Sequence, residues 1–507
     1  MKSKVFIQNN RYVDSVTLMG VAERIVELDF VEKAECGMGT PANIELLTQI
    51  GFDVPKETGK NDLMISVAAW DEAGLNAAYE AAMTILEHRG GTREKVYRTL
   101  EDIDLHTDPF DLVQISLPGE YATAEARKAL KMGLDVFIFS DNVPIEQELE
   151  LKQFGNENGR LVMGPDCGVG LLGGIALGAG SIVRQGEIGI VSASGSGAQE
   201  VACLIERMGQ GVSCIIGTGG RDLYPEIGGI TMRMGIERLE DDPATKVICL
   251  VSKLADLAVM DSVLSLADKM KKPVVAVFLG STEQLFMDHC VHGVFSLEAA
   301  AYKSVGLLTD DVSQLGWTDQ EIEEIATRET VRLCAKQKYF RGLYCGGTFA
   351  EEALIYFTKT IPQSQLYSNL ATVYADKLPS HLKSKGHTIL DLGAEDFTKD
   401  EPHPVFDTAL RLKRLKQELT DPQVAVVLLD FITGPGVHAN PIEPFAKLCN
   451  AHRKVIFIAT ICGAEQDPQN IEAARKILED AGVLVADSNY QSARLAAAII
   501  QALDRRS

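Results

Sequence analysis

Residues 192–197 read Ser-Ala-Ser-Gly-Ser-Gly, between an apolar run ending at Val191 and a helical pattern beginning at Ala198. A turn of small residues before a helix leaves the first backbone N–H groups without acceptors, at the positive end of the helix dipole, where an anion can reach them. Ser194, Gly195, Ser196 and Gly197 are therefore candidate phosphate ligands, the serines adding hydroxyl donors. Their spacing is not G-x-G-x-x-G, it lacks the lysine of a P-loop, and neither serine sits between the glycines of a nucleophile elbow. A near-copy at Cys-Gly-Gly-Thr, residues 345–348, adds Gly346, Gly347 and Thr348. Two such helix starts packed face to face could aim at one phosphate.

Acid/base chemistry has three candidates. His403 is held in an extended loop by Pro402 and Pro404, shortly after Asp391 in "DLGAEDF"; Asp222 follows the glycines of "TGGRDL". A histidine at the ligand end of a sheet titrates in the useful range, and the aspartates are the weaker candidates. Asp288, His289, Cys290 and His292 are zinc-type side chains, but no distant second pair accompanies them, and no metal is expected. The ten cysteines form no C-x-x-C pair and fit buried, reduced thiols.

The elements that must position these residues follow from the apolar pattern. "KVFIQ" and "NDLMISVAAW" read as strands, and the segment from the Asp14/Ser15 cap and the one ending near His88 read as helices. This gives a small N-terminal α+β domain over 1–92, followed by a polar linker. From Asp111, near-continuous apolar strands alternate with helices, the signature of a parallel sheet whose ligands lie beyond the carboxyl ends of its strands, here 117–120, 139–144 and 163–168. The remainder is an internal repeat. Each copy carries a glycine loop, a second strand with glycine, an Asp-Pro before a third strand, and a fourth strand, so two flavodoxin-like units are expected over 185–318 and 340–505. The polar helix "TDQEIEEIATRETVRL" joins them.

At 507 residues the chain is too long for one core. Its net charge of −22 argues against nucleic acid or an anionic membrane as partner, so bound phosphate needs local donors. No apolar stretch approaches membrane-spanning or signal-peptide length, and a soluble cytoplasmic protein is expected.

The run "SLPGE", "FSDNVP", "VMGPDCG", "IGIVSASGSGAQE" and "IIGTGGRDL" resembles the α subunit of succinyl-CoA synthetase and its ADP-forming acyl-CoA synthetase relatives. "LYCGGTFAEE", "ILDLGAEDF" and "VVLLDFITG" resemble the carboxyl-terminal domain of that enzyme's β subunit. With "YVDSVTLM", "GMGTPAN" and "EPHPVFD" added, nearly the whole chain resembles the FdrA family. The resemblance implies a multi-domain α/β fold, with a Rossmann-like CoA-binding-type domain over 106–184 ahead of the two flavodoxin-like domains. It also implies that the paired loops cradle a migrating phosphate, and that Pro118, Ser140, Asp141, Asn142, Pro165, Asp166 and Cys167 lie along a CoA-binding edge.

The chain departs from the synthetase pattern in several places. No segment has the character of an ATP-grasp domain, so no ATP site is evident. G-H-A-G around the phosphohistidine is absent, leaving His289 and His292, and the supporting acid is replaced by "VSKLAD", which carries Lys253. The cofactor is left undetermined, with CoA as the candidate. Three functions follow. The first is an FdrA-type subunit of an oxamate carbamoyltransferase in allantoin and purine catabolism, converting oxalurate and phosphate to oxamate and carbamoyl phosphate. The second is an ADP-forming CoA ligase subunit, and the third a non-catalytic scaffold that binds CoA or nucleotide. Small-molecule substrate and phosphate are the expected ligands, and the missing parts imply a hetero-complex with other transferase subunits.

Overall fold

The computed structural model describes residues 2–11, 13, 15–26, 28, 30–88, 97–362, 365–399 and 401–506. Asp14, half of the expected first cap, lies outside them, as does the start of the expected linker at 89–96. The chain divides into two compact units, Met1–Ile103 and Asp104–Ser507.

The first unit runs β1 (Lys2–Gln8), α1 (Ser15–Val26), β2 (Val31–Met38), α2 (Pro41–Gln49), β3 (Leu63–Ala69) and α3 (Glu72–His88). Its strands form one antiparallel sheet in the order β1-β3-β2. Period-two alternation along β3 sends Leu63, Ile65 and Val67 toward Leu18, Val21 and Ile25 of α1 and Leu75, Ala78 and Ala82 of α3. Met64 packs on the other face with Leu47 and Phe52, so the central strand is buried on both sides.

The second unit holds three sheets. β4 (Leu112–Ile115), α4 (Gly119–Lys131), β5 (Asp135–Ile138), α5 (Ile145–Glu157) and β6 (Val162–Met163) build a parallel three-stranded sheet. Next come β7 (Val169–Leu172), β8 (Ile175–Gly178), β9 (Gln185–Ser192), α6 (Gly195–Arg207), β10 (Val212–Gly217) and α7 (Ile230–Asp241). These continue into β11 (Val247–Lys253), α8 (Leu257–Ala267), β12 (Val274–Leu279), β13 (His292–Val294) and α9 (Leu297–Gly306), giving a seven-stranded sheet ordered β13-β12-β11-β9-β10-β7-β8. The β7–β8 hairpin turns on Gly173 and Gly174, both at positive φ (57° and 78°), and joins this sheet by antiparallel pairing of β7 with β10.

The linking helix α10 (Asp319–Thr330), closed at its start by a Thr318/Glu321 capping box, leads to the third sheet. That part runs β14 (Tyr339–Tyr344), α11 (Gly347–Phe357), β15 (Leu366–Ser368), β16 (Asp376–Lys377), β17 (His387–Asp391), α12 (Glu395–Thr398) and α13 (Ala409–Glu418). It ends β18 (Val424–Ile432), α14 (Glu443–Ala451), β19 (Ile456–Cys462), α15 (Ile471–Asp480), β20 (Leu484–Ala486) and α16 (Asn489–Asp504), ordered β16-β15-β17-β14-β18-β19-β20. Five strands correspond one to one in the two large sheets: β10-β9-β11-β12-β13 and β17-β14-β18-β19-β20. This is the doubly wound order 2-1-3-4-5, and each glycine loop follows the strand at the switch point, where such sheets bind ligands. The fold is multi-domain α/β, with parallel sheets in the second unit as expected.

The two large halves hold each other through their glycine-loop helices. α6 is buried from Gly197 to Glu206, because one side covers its own sheet and the other meets the second half. Glu200 lies six residues after the α6 cap Ser194, and Glu352 six after the α11 cap Gly346. Glu200 Oε1 accepts the N–H of Asn489 at the start of α16 (2.9 Å), and Glu352 Oε1 accepts that of Leu297 at the start of α9 (2.8 Å). Each glutamate thus takes a free N–H at a helix start in the opposite half, while burial raises both carboxyls, Glu352 to about 8. Asn489 Nδ2 completes the lock by donating to Glu352 Oε2 (2.8 Å). Truncation by Glu352→Ala strands two buried donors, so urea unfolding is expected to show a loss of about 2–4 kcal/mol. Glu352→Gln, which keeps one acceptor, is expected to lose less.

Candidate functional site

The two glycine loops meet. Ser194 caps α6, its Oγ accepting the N–H of Gly197 (3.0 Å), and the same hydroxyl is hydrogen-bonded to Thr348 Oγ1 across the two halves (2.6 Å). The relation is reciprocal in position but not in chemistry. Thr348, second residue of α11, sits on the α6 cap; Ser196, second residue of α6, sits on the α11 cap Gly346, where an added Cβ would lie 3.3 Å from Ser196 Cβ. Gly346 has no hydroxyl to answer Ser196, so the hydroxyl pairing is made on one side only, and Gly195, Ser196 and Gly347 stay half-exposed. The first-turn N–H groups of Gly195 and Ser196 have no intrahelical acceptor and face this junction.

The α11 loop already contains an internal anion. Asp430, fully buried in β18, accepts the N–H of Cys345 through Oδ1 and that of Gly346 through Oδ2 (both 2.9 Å), and pairs with Arg411 (3.0 Å). The Cys345 thiol donates to Asp430 as well (3.2 Å), and burial pushes it well above the ordinary thiol range, so it is no nucleophile.

Asp391, at the carboxyl end of β17, faces the first residue of α11. A Cβ on Gly347 would fall 2.6 Å from Asp391 Oδ2 and 3.5 Å from Lys253 Nζ, so this glycine is what lets both groups approach the helix start. Oδ1 accepts the Gly393 N–H (2.9 Å). Burial, only partly offset by Lys253 and that hydrogen bond, raises the Asp391 carboxyl to about 6. Lys253, at the end of β11, also pairs with Glu351 (3.2 Å).

His403 reaches the same neighbourhood: a Cβ on Gly393 would lie 2.3 Å from its Nε2. Its Nδ1 accepts the Val405 N–H (3.2 Å), which leaves the proton on Nε2, and burial holds its pKa below the ordinary histidine value. His403 is thus placed as a neutral donor and not as a base. Phe406 of the same loop contacts Phe139 at the end of β5 (6.2 Å between centroids), and Gly195 packs 3.6 Å from Gly168 when given a Cβ. The carboxyl ends of all three sheets therefore converge on the paired loops.

Other candidates fall elsewhere. Asp222 is fully buried, bonded to Lys152 (2.6 Å) and to the N–H groups of Thr231 and Met232 (3.2 and 2.8 Å). It starts α7 and neutralises a buried lysine, which leaves no oxygen for a substrate. His292 pairs in register with Val275 near the beginning of β12, so the 289–292 segment lies at the amino-terminal edge of the sheet, opposite the loops. His289 stands between Asp268 (2.7 Å) and Asp261 (3.2 Å); burial opposes its charge, but the two carboxylates prevail and raise its pKa. Among the described residues no group of three or more His, Cys, Asp or Glu side chains could hold a metal ion.

Along the edge expected to bind CoA, the residues divide between packing and exposed positions, and burial raises the Asp166 carboxyl to about 6. Ser140, Pro165 and Cys167 are buried packing residues; Cys167 Sγ and Pro165 O would each lie 2.3 Å from a Cβ on Gly217 and Gly219 respectively. At the start of α4, where Pro118 is the cap, a Cβ on Gly119 would meet Asp141 O at 2.3 Å and Asn142 at 2.7 Å, so helix start and turn are closed on each other. Beside Pro118 and Asn142, this edge exposes Asp141 and Asp166, flanked by Glu120 and Glu146, to a ligand that carries several phosphates. The nearby Arg221 is held by Glu148 (2.7 Å) and Val143 O (2.8 Å).

Sequence reasoning missed Asp430, Arg411 and Glu351 and gave Lys253 no role. A lone carboxylate within the fully buried nine-residue strand "VAVVLLDFI" was the available signal.

The raised Asp391 carboxyl has a consequence for stability. Its unfolded value lies near 3.8 and its folded value near about 6. The neutral side chain is favoured in the folded protein, so its contribution is fully present below pH 3.8 and is lost as pH rises to 6, amounting to about 3 kcal/mol. Asp391→Asn is expected to raise the thermal midpoint at pH 8 and to change it little at pH 4.

Family models match three parts of the chain: "CoA-ligase" over residues 343–499, "CoA binding domain" over 183–280, and "AllF, heavy metal-associated domain" over 1–100. The second begins at residue 183 and covers the first glycine loop. No helix among the described residues is long and apolar enough to cross a membrane. The α subunit of succinate–CoA ligase [ADP-forming] from Methanothermobacter thermautotrophicus is 29% identical over 37% of this chain, and the match spans 63% of that subunit. A mutant ATP citrate lyase from Methanosaeta concilii, solved with (3S)-citryl-CoA, is 22% identical over 44% of this chain and 43% of its own, with a TM-score of 0.37. The uncharacterized protein YahF of Escherichia coli (strain K12) is 38% identical over 98% of both chains. The chain belongs to the YahF family, succinyl-CoA synthetase-like proteins with CoA-ligase and CoA-binding domains.

Proposed function

We propose that the chain is an FdrA-type subunit of an oxamate carbamoyltransferase that phosphorolyses oxalurate to oxamate and carbamoyl phosphate in purine catabolism. The observation that carries this reading is the unmatched Ser196 hydroxyl beside the half-exposed starts of both helices. Ser196, the first-turn N–H groups and Lys253 can hold hydrogen phosphate there, against a carboxyl that titrates at about 6. A phosphate oxygen attacks the ureido carbonyl, the C–N bond to the oxamoyl nitrogen breaks, and that nitrogen takes a proton from Asp391. The proton lost by hydrogen phosphate then restores Asp391. The His403 Nε2–H and the loop N–H groups stabilise the tetrahedral oxyanion. This chemistry needs neither ATP nor a phosphohistidine, which suits histidines that stand at the far edge of the sheet. No step runs through CoA.

The CoA-ligase and CoA-binding matches favour a second reading, a CoA ligase subunit whose nucleotide domain is on another chain. Incubation with labelled ATP, CoA and a candidate partner chain separates the two: an acid-labile phosphoenzyme supports the ligase and defeats the carbamoyltransferase.

Carbamoyl phosphate formation from oxalurate and phosphate should be assayed with the chain alone and with the products of neighbouring genes, since a hetero-complex is part of the proposal. Ser196→Ala combined with Thr348→Ala is expected to abolish it, an outcome a mere scaffold would not give. Asp391→Asn is expected to lower kcat about 10²–10⁴-fold. In the wild type kcat/KM should fall as pH rises through about 6, the region where the acid ionises.

A further inference from the structure

The second unit has a cleft of about 910 Å³ that the paired loops do not use, formed where the end of β13, α9, the 312–317 segment and the start of α16 come together. Its volume lies in the range of about 300–1,000 Å³ typical of small-molecule sites. Four aromatic rings, Phe295, Tyr302, Trp317 and Tyr490, and three basic side chains, Lys303, Lys359 and Arg494, line it.

These walls are held in place. The Tyr302 hydroxyl accepts the Leu315 N–H (2.6 Å), and the Trp317 N–H donates to Gln491 Oε1 (3.1 Å). Gln491 in turn donates to Glu298 (2.7 Å) and to Leu315 O (2.9 Å), which ties the 312–317 segment to both helices. Tyr490 is fixed edge-on against Tyr356 (5.3 Å, 86°), and the Arg494 guanidinium lies over it (6.0 Å). Glu298 is the one carboxylate in the lining, and its charge is disfavoured by burial. Arg494 is paired with Asp319, so Lys303 and Lys359 are the cations this strongly acidic chain, net charge −22, turns toward the aromatic rings.

We infer that this cleft binds a nucleoside phosphate. Flat bases stack on such rings, and the two lysines suit phosphate oxygens. A bare phosphate would make no use of the aromatic rings, and an acyl chain would meet charged walls. The inference rests on the cleft alone and is independent of the carbamoyltransferase reading.

The chain has two tryptophans, and Trp70 is 65% exposed in the first unit, so the full-length Trp70→Phe variant leaves Trp317 as the reporter. Titration with ATP or AMP is expected to change its fluorescence saturably. Adenosine and inorganic phosphate should each bind about tenfold more weakly or worse. A CoA titration tells whether the nucleotide end of CoA can be the occupant; binding of either CoA or ATP supports the site. Lys303→Ala with Lys359→Ala should weaken binding at least about tenfold, and Ser196→Ala with Thr348→Ala should leave it unchanged. The inference is overturned if ATP, AMP and CoA give no saturable change at millimolar concentration, if inorganic phosphate binds as tightly as ATP, or if the double lysine variant binds as the parent does.

Discussion

The site depends on two helices that can neither be solvated nor turn away from each other. α6 and α11 are buried along most of their length, and each carries a glutamate committed to a helix start in the other half. Buried carboxylates are costly unless their oxygens find donors, and these find them only when the halves are docked in this one register. The same docking fixes the tips of the helices, where Ser194 meets Thr348. Precision at the loops is therefore a by-product of satisfying buried polar groups deeper in the interface.

The junction is also short of positive charge. Asp430 takes two loop N–H groups, Asp391 lies against Gly347, and Glu351 holds Lys253. Under the proposed phosphorolysis an incoming dianion would have to coexist with these acids. A carboxyl that can be neutral near pH 6 is one way of doing so, because it turns from a repelling charge into a hydrogen-bond donor.

The repeat was readable because its signals are local: strand, small-residue turn and helix recur in one order, and that order became the matching strand sequence of the two large sheets. The pairing of Ser194 with Thr348 was anticipated only as two loops facing each other. Asp222 was misread because its position beyond a strand end suggests a ligand group, while the lysine that consumes it, Lys152, comes from α5, some seventy residues earlier. The β7–β8 hairpin was signalled by adjacent glycines but not recognised, and its pairing with β10 depends on long-range geometry. The place of His289 could have been deduced, since a loop that precedes a parallel strand ends at the amino edge of the sheet.

One difference between the halves bears on how such a site can evolve. In an assembly of two identical chains, a change at the two-fold axis appears on both sides at once, and a ligand there can bind in two equivalent orientations. Here α10 carries the chain from one half to the other, so each copy of the loop mutates by itself. The serine at 194 and the glycine at 346 occupy equivalent places, and only one of them closes on its neighbour. Covalent fusion therefore gives the pseudo-symmetric junction a direction, which a substrate with two unlike ends requires.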